Sequence, residues 1–133
     1  MNHPEVTRKL RQEIDEHQSR ATDSKHFSFR ETQDMPYLQA VIKEALRLHP
    51  AVGLPLERVV PEGGATIAGR FFPSGAIVGV NCWEEHTNQT IFGPDPEVFR
   101  PERWFESDKQ KLDAMNRHWI PPSPASLKSS YNE

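Results

Sequence analysis

Lys43-Glu44-Ala45-Leu46-Arg47-Leu48-His49-Pro50 closes the strongest helical pattern in the chain. Leu38, Val41, Ile42, Ala45 and Leu46 fall at i, i+3, i+4, i+7 and i+8, so residues 35–48 predict a helix with one apolar face. Pro50 stops it, because the residue before a proline is pushed away from helical angles. Glu44 and Arg47, three apart, stand side by side on the helix surface. Such a pair is ordinarily exposed and contributes well under about 1 kcal/mol. Ala45, Leu46 and Leu48 place this one close to a packed face. A distant second piece, Pro101-Glu102-Arg103-Trp104, brings a guanidinium that could join the pair in a three-membered network. Bidentate bonds would then fix a long meander against the helix. Buried ionic networks of this kind set geometry more reliably than they add stability, because desolvation offsets most of the attraction.

Working outward, residues 4 to about 20 predict a helix, with Pro4 in its first turn and Glu5 complementing the helix dipole. Val6, Leu10 and Ile14 make a narrow stripe that must dock on something, and Glu5–Lys9 reads as an i,i+4 pair. Residues 21–34 are polar and aperiodic and read as a loop, with Asp34 as N-cap of the next helix. After Leu54 the pattern shifts to short extended pieces, at Glu57 to Val60, Thr66 to Ala68, Arg70 to Phe72 and Ala76 to Val80. Gly63-Gly64 breaks the first two, and Pro73-Ser74-Gly75 predicts a tight turn between the last two. Asn81 to His86 predicts a short helix, residues 92–104 a Pro-rich aromatic meander, and Asp108 to Met115 another helical turn. Residues 121–133, rich in Pro and Ser, are expected to be disordered. The fold class is therefore mainly α with a small antiparallel β unit.

Composition narrows the function. The chain has 133 residues, of which 35% are apolar and 12 are proline. That is enough for one small domain, but poor in core-forming residues against the roughly 45–50% of ordinary globular domains. Net charge is -3, which gives no reason to expect a nucleic acid or an anionic membrane as partner. Arg8-Lys9-Leu10-Arg11 is interleaved with Glu5 and Glu13 and reads as a solvated helix face. One cysteine, Cys82, allows neither an internal disulfide nor a zinc site of paired cysteines. No apolar run resembles a signal peptide or approaches the roughly 20 residues of a membrane span. Localisation is left open.

The order of these pieces resembles the cytochrome P-450 family of haem-thiolate monooxygenases, in a fungal biosynthetic style, from about His3 to Pro121. Leu46-Arg47-Leu48-His49-Pro50 looks like the end of the family's Glu-x-x-Arg helix. Arg58-Val59-Val60-Pro61-Glu62-Gly63-Gly64 resembles the strand and turn after it, and Phe72-Pro73-Ser74-Gly75 its hairpin turn. Asn81-Cys82-Trp83 with His86 matches the segment that follows, and Phe99-Arg100-Pro101-Glu102-Arg103-Trp104 the meander. The resemblance implies a partial cytochrome P-450 fold over 1–121 and a tail of unrelated character over 122–133. It implies Glu44, Arg47 and Arg103 as a structural triad behind the haem. Arg58 would reach a haem propionate, or else face solvent from its strand. Residues Leu54 to Leu56 would lie near the substrate side. It also implies haem as cofactor, NADPH through a reductase as electron source, a hydrophobic organic substrate, and an endoplasmic-reticulum membrane setting for intact eukaryotic relatives.

The family's meander runs into a Phe-x-x-Gly loop carrying the cysteine that binds iron. Here Asn116-Arg117-His118-Trp119-Ile120-Pro121 runs toward it, and Pro122-Ser123-Pro124-Ala125-Ser126-Leu127 follows, with no Phe, Gly or Cys. So abrupt a break predicts a truncated gene product, from a frame shift, a retained intron or a wrong gene model, without monooxygenase activity of its own. The rival expectations are a non-catalytic interaction protein and a pseudogene product. Cys82 precedes the triad arginine and reads as a small buried apolar residue, not an iron ligand. His49 and His86 have no second ligand at useful spacing and are set aside as metal sites.

Overall fold

A computed structural model of the chain describes residues 3–20, 26–51 and 55–120. The expectations for residues 121–133, and for Leu54 near a substrate, fall outside that range.

Helix α1 (Pro4–Arg20) and α3 (Pro36–Leu48) match the two periodic stretches. Between them the loop reading is corrected, because Phe29–Gln33 forms a short helix, α2. Ser28 and Glu31 make a reciprocal capping box there. The Glu31 N–H donates to Ser28 Oγ at 3.3 Å and the Ser28 N–H to Glu31 Oε2 at 2.7 Å. Asp34 is therefore the C-cap of α2, and Met35 takes the N-cap of α3 without a side-chain bond. The first turn of α3 is capped from another helix. Glu13 of α1 accepts from the Tyr37 and Leu38 N–H groups, each at 2.8 Å.

The apolar stripe of α1, Val6, Leu10 and Ile14, is half-buried, and a polar stripe beside it carries the hydrogen bonds to the other elements. On α1 those hydrogen bonds come from Lys9, Glu13 and His17, spaced by four. Lys9 Nζ reaches Glu102 at 2.6 Å and His17 Nε2 lies 3.2 Å from the Asp34 carbonyl. The Glu5–Lys9 pair does not form, because Lys9 is spent on Glu102 and Glu5 pairs with Arg8 at 3.0 Å. On α3 the buried positions are Ala40, Glu44 and Arg47. Of the apolar stripe read from the sequence, Ile42 is 43% exposed and Ala45 is exposed as well. The rest of that stripe, Leu38, Val41 and Leu46, is half-buried, so the apolar face is partly covered while the most buried side is the one the ion pairs hold.

Four strands follow, β1 (Leu56–Val59), β2 (Ala65–Ile67), β3 (Arg70–Phe72) and β4 (Ile77–Val80). They nest: β1 pairs antiparallel with β4, and β2 with β3. The register sets Leu56 against Val80 and Val59 against Ile77 in the outer pair, and Ile67 against Arg70 in the inner one. The tight turn read at Pro73-Ser74-Gly75 forms, with the Ala76 N–H on the Pro73 carbonyl at 3.1 Å, but its hairpin reading is corrected: the turn returns the chain to β1 and does not pair β3 with β4. The tight hairpin turn lies at Ala68-Gly69, both at positive φ (48° and 78°), the backbone that matches strand twist in a two-residue loop. Gly64, at φ +79°, enters β2 with its Cα against the next strand. A Cβ there would stand 2.8 Å from the Phe72 carbonyl oxygen and 2.5 Å from the Phe71 ring. Gly64→Ala is expected to cost about 1–2 kcal/mol, read as a lowered thermal midpoint.

Asn81 caps α4 (Cys82–His86) and Asn88 caps α5 (Gln89–Phe92), each through its side-chain oxygen. A 3-10 turn spans Pro101–Phe105. Asp108 caps α6 (Lys109–His118), which runs a turn beyond the expected end at Met115. The core is small: Ala40, Phe92, Trp104 and Met115, flanked by Ile91, Leu112 and Trp119. Its rings meet edge to face, Phe92 on Trp104 at 6.3 Å and Trp104 on Trp119 at 6.1 Å, the arrangement favoured by aromatic quadrupoles.

Candidate functional site

The site is one carboxylate and what surrounds it. Glu44 is fully buried on the inward side of α3. Its Oε1 accepts from Arg47 Nη2 at 2.9 Å, Arg103 Nε at 2.8 Å and the Arg100 N–H at 3.0 Å. Its Oε2 accepts from Arg47 Nε at 3.0 Å and the Trp104 indole N–H at 3.1 Å. Arg47 therefore grips the carboxylate with two donors, while Arg103 and Trp104 arrive from the 3-10 turn. Burial by itself pushes the Glu44 pKa up. Hydrogen bonds from Arg47 and Arg100, with the positive charges of Arg47 and Arg103, outweigh it and hold the carboxyl below its ordinary range.

Each arginine spends its remaining donors on main-chain carbonyls. Arg103 donates to Phe92 O at 2.5 Å and to Asp95 O and Val98 O at 3.0 Å. Arg47 Nη1 donates to His86 O at 2.7 Å, and Nη2 to Val98 O at 3.5 Å. In the irregular stretch 92–98, which has no ladder, the Phe92, Asp95 and Val98 carbonyls are paired by guanidinium groups, Asp95 O also accepting from the Val98 N–H at 3.1 Å. No buried side-chain nitrogen or oxygen among the described residues lacks a partner. Outside this centre, Glu102 ties three elements together: Lys9 of α1 and Tyr37 OH of α3 both bond its Oε1, at 2.6 and 2.8 Å.

A second shelf of contacts lies along α3. Lys43 Nζ sits over the rings of Trp104 (5.2 Å) and Trp119 (5.5 Å) and donates to Asn116 Oδ1 at 3.0 Å. Burial pushes its pKa down. The Trp119 indole N–H donates to Lys43 O at 3.2 Å, fastening the end of α6 to α3.

The structure brings Glu44, Arg47 and Arg103 within hydrogen-bond reach. Arg58 lies apart from them, half-buried on β1, with Nη1 on the Glu57 carbonyl at 2.6 Å. Cys82 is 3% exposed in α4, and burial pushes its thiol pKa up, the reverse of what a thiolate ligand needs. His86 has both ring nitrogens on backbone groups, Nδ1 against Arg47 O and Nε2 against the Ile120 N–H, each at 3.0 Å. That leaves no lone pair for a metal. Among the described residues no cluster of three or more His, Cys, Asp or Glu side chains could hold one, and no helix is long and apolar enough to cross a membrane. Sequence reasoning missed three participants: the Trp104 indole, the Arg100 N–H and His86. Trp104 stood next to the predicted arginine, and its N–H needs a partner whenever it is buried.

The cytochrome P450 family model matches residues 1–121. The chain is 57% identical over 104 residues to a pisatin demethylase of Fusarium vanettenii, which covers 78% of this chain and 20% of that protein. It is 45% identical over 115 residues to a cytochrome P450 monooxygenase of Aspergillus terreus (86% and 23%) and 44% over 104 residues to one of Emericella nidulans (78% and 21%). The chain thus spans about a fifth of the length of the curated relatives it matches.

Proposed function

We propose that this chain, which belongs to the cytochrome P450 family, is the bracing segment of a haem-dependent monooxygenase: it locks the meander and the residues after it against α3. The observation that carries this reading is the five-fold coordination of the buried Glu44 by both arginines, Arg100 N–H and Trp104. With every acceptor direction of the carboxylate taken, Glu44 has no lone pair left to move a proton. Its work is positional: it holds Arg47 and Arg103 aimed, and they in turn hold the carbonyls of Phe92, Asp95 and Val98.

In the whole protein, haem would supply the oxygen chemistry and NADPH, through a reductase, the electrons. The substrate class proposed is a hydrophobic organic molecule of fungal secondary metabolism. Demethylation of pisatin is the activity in the names of two relatives, and the reading here is the broader one. Arg58 is the cation this chain would offer to a haem propionate, its planar fork suited to a carboxylate. Cys82 does not fit the iron ligand, for the burial and raised pKa already described. The thiol chemistry is therefore not assigned to any of these 133 residues, and by themselves they are proposed to have no monooxygenase activity.

Two experiments test this. The 133-residue chain, supplied with haem, reduced and exposed to carbon monoxide, is expected to give no thiolate-type absorption band. Such a band would overturn the assignment. Residues 3–120 transplanted into the matching stretch of the F. vanettenii pisatin demethylase are expected to preserve that band and the parent's turnover. A chimera that folds but cannot retain haem would sink the bracing role.

A further inference from the structure

One buried group has both of its polar atoms committed to main chain. His86, the last residue of α4, is 1% exposed. Its Nδ1 faces the Arg47 carbonyl at 3.0 Å, a partner that only accepts, so Nδ1 must carry the proton. Its Nε2 faces the Ile120 N–H at 3.0 Å, a partner that only donates, so Nε2 must be bare. Two backbone groups thus select one neutral tautomer. The Arg47 carbonyl lies in the last turn of α3, where it has no intrahelical partner. Arg47 returns the contact, Nη1 donating to His86 O at 2.7 Å. The Phe92 ring, edge-on at 6.2 Å, closes the imidazole off. A single ring therefore bridges the Glu44–Arg47–Arg103 network to the chain beyond α6.

We propose that His86 is a positioning residue. Its neutral, Nδ1-protonated ring holds the main chain at Ile120 in register with the charged network, and protonation of the ring releases Ile120 while leaving that network assembled. These contacts all lie among the described residues and are independent of haem. A protonated ring would turn an N–H toward the N–H of Ile120, two donors facing each other. The charged groups around it are few. Arg47, with Glu44 bound to it, faces it from α3, and Glu85 precedes it in α4, paired with His118 of α6. α5 presents only the uncharged Phe92. Burial pushes the imidazole pKa down. The Arg47 charge acts the same way, against the Arg47 carbonyl bond and Glu85. A histidine whose folded pKa is depressed contributes its full stability above the unfolded value, about 6.5, and loses it as pH falls below that value.

Amide hydrogen exchange at Ile120 and at Arg100, corrected for intrinsic rates, tests the proposal on the full chain. Between about pH 7.5 and pH 5, protection at Ile120 should fall at least about tenfold more than at Arg100, the size of one lost hydrogen bond. In H86Q the side-chain oxygen can reach the Nε2 position without titrating, so Ile120 should stay protected across the range. In H86N the shorter side chain keeps the donor to Arg47 but leaves Ile120 without an acceptor. Ile120 should then be unprotected at every pH and Arg100 still protected. Parallel loss at both amides would overturn the proposal, as would pH dependence persisting in H86Q. Absence of protection at both amides at neutral pH would also overturn it. Failure of the monooxygenase reading would show in the haem spectrum of the chimera and leave these amides unaffected.

Discussion

Glu44→Ala is expected to abolish the cooperative unfolding transition of this chain. The substitution removes one charge and leaves two, since Arg47 and Arg103 are 1% and 3% exposed. It also strands the Trp104 indole and the Arg100 N–H, which have Glu44 as acceptor. Removing one partner from a buried ion network costs about 3–5 kcal/mol, because the uncompensated charge stays behind in a low-dielectric place. Whole domains are stable by only about 5–15 kcal/mol, and a chain of 35% apolar residues sits at the low end. Glu44→Gln separates charge from shape. It fills the same space but turns an NH2 group toward donors, so it should retain a broadened, lowered melt. Circular dichroism melts decide the matter, and an alanine variant melting like the parent would remove Glu44 from the centre of the fold. The pH profile has a fixed sign. Glu44 titrates below its ordinary value, so its stabilisation is complete above about pH 4.5 and is lost as pH falls through the lower folded-state pKa.

Arg103→Lys should cost about 2–4 kcal/mol although the charge is preserved. Arg103 serves four acceptors lying in different directions: the Glu44 carboxylate and the carbonyls of Phe92, Asp95 and Val98. A guanidinium spreads its donors over a planar fork, and an ammonium offers three from one point. Lysine can keep the ion pair with Glu44 but leaves the Phe92 carbonyl without a donor, at about 1–3 kcal/mol, and gives up a charge-assisted bond at the Asp95 or Val98 carbonyl, which keep only the Val98 N–H and Arg47. The loss should be local. Amides in residues 92–98 should exchange faster, while those of the β1–β4 ladder keep their protection. Uniform loosening of both regions would mean that the meander depends on something other than this arginine.

Much of the fold was legible in short-range signals. α1 and α3 follow from apolar spacing at four and three, and Pro4, Asn81 and Asp108 mark helix starts through physics confined to a few residues. The four strands were legible as segments, and their partners were not. The Ala68-Gly69 turn holds its alanine at positive φ, which local propensity disfavours, and only the β2–β3 pairing selects it. The Asp34 cap failed for a related reason: Ser28 and Glu31 nucleated a helix in front of it, and Glu13 supplied the cap of α3 from another element.

The sequence by itself determined where the helices lie, which family the chain belongs to, and that Glu44, Arg47 and Arg103 were the charged groups to watch. Tertiary structure decided which face of α3 turns inward. Apolar spacing counts transfer free energies along one helix and cannot register a guanidinium arriving from residue 103. Once Arg103 and Trp104 satisfy Glu44, the charged side can be buried without stranded polar atoms, and Ile42 and Ala45 are left toward solvent. The bridge from Arg47 through His86 to Ile120 is of the same kind. Its three members are far apart in the chain, and only folding supplies the two backbone groups that choose the tautomer.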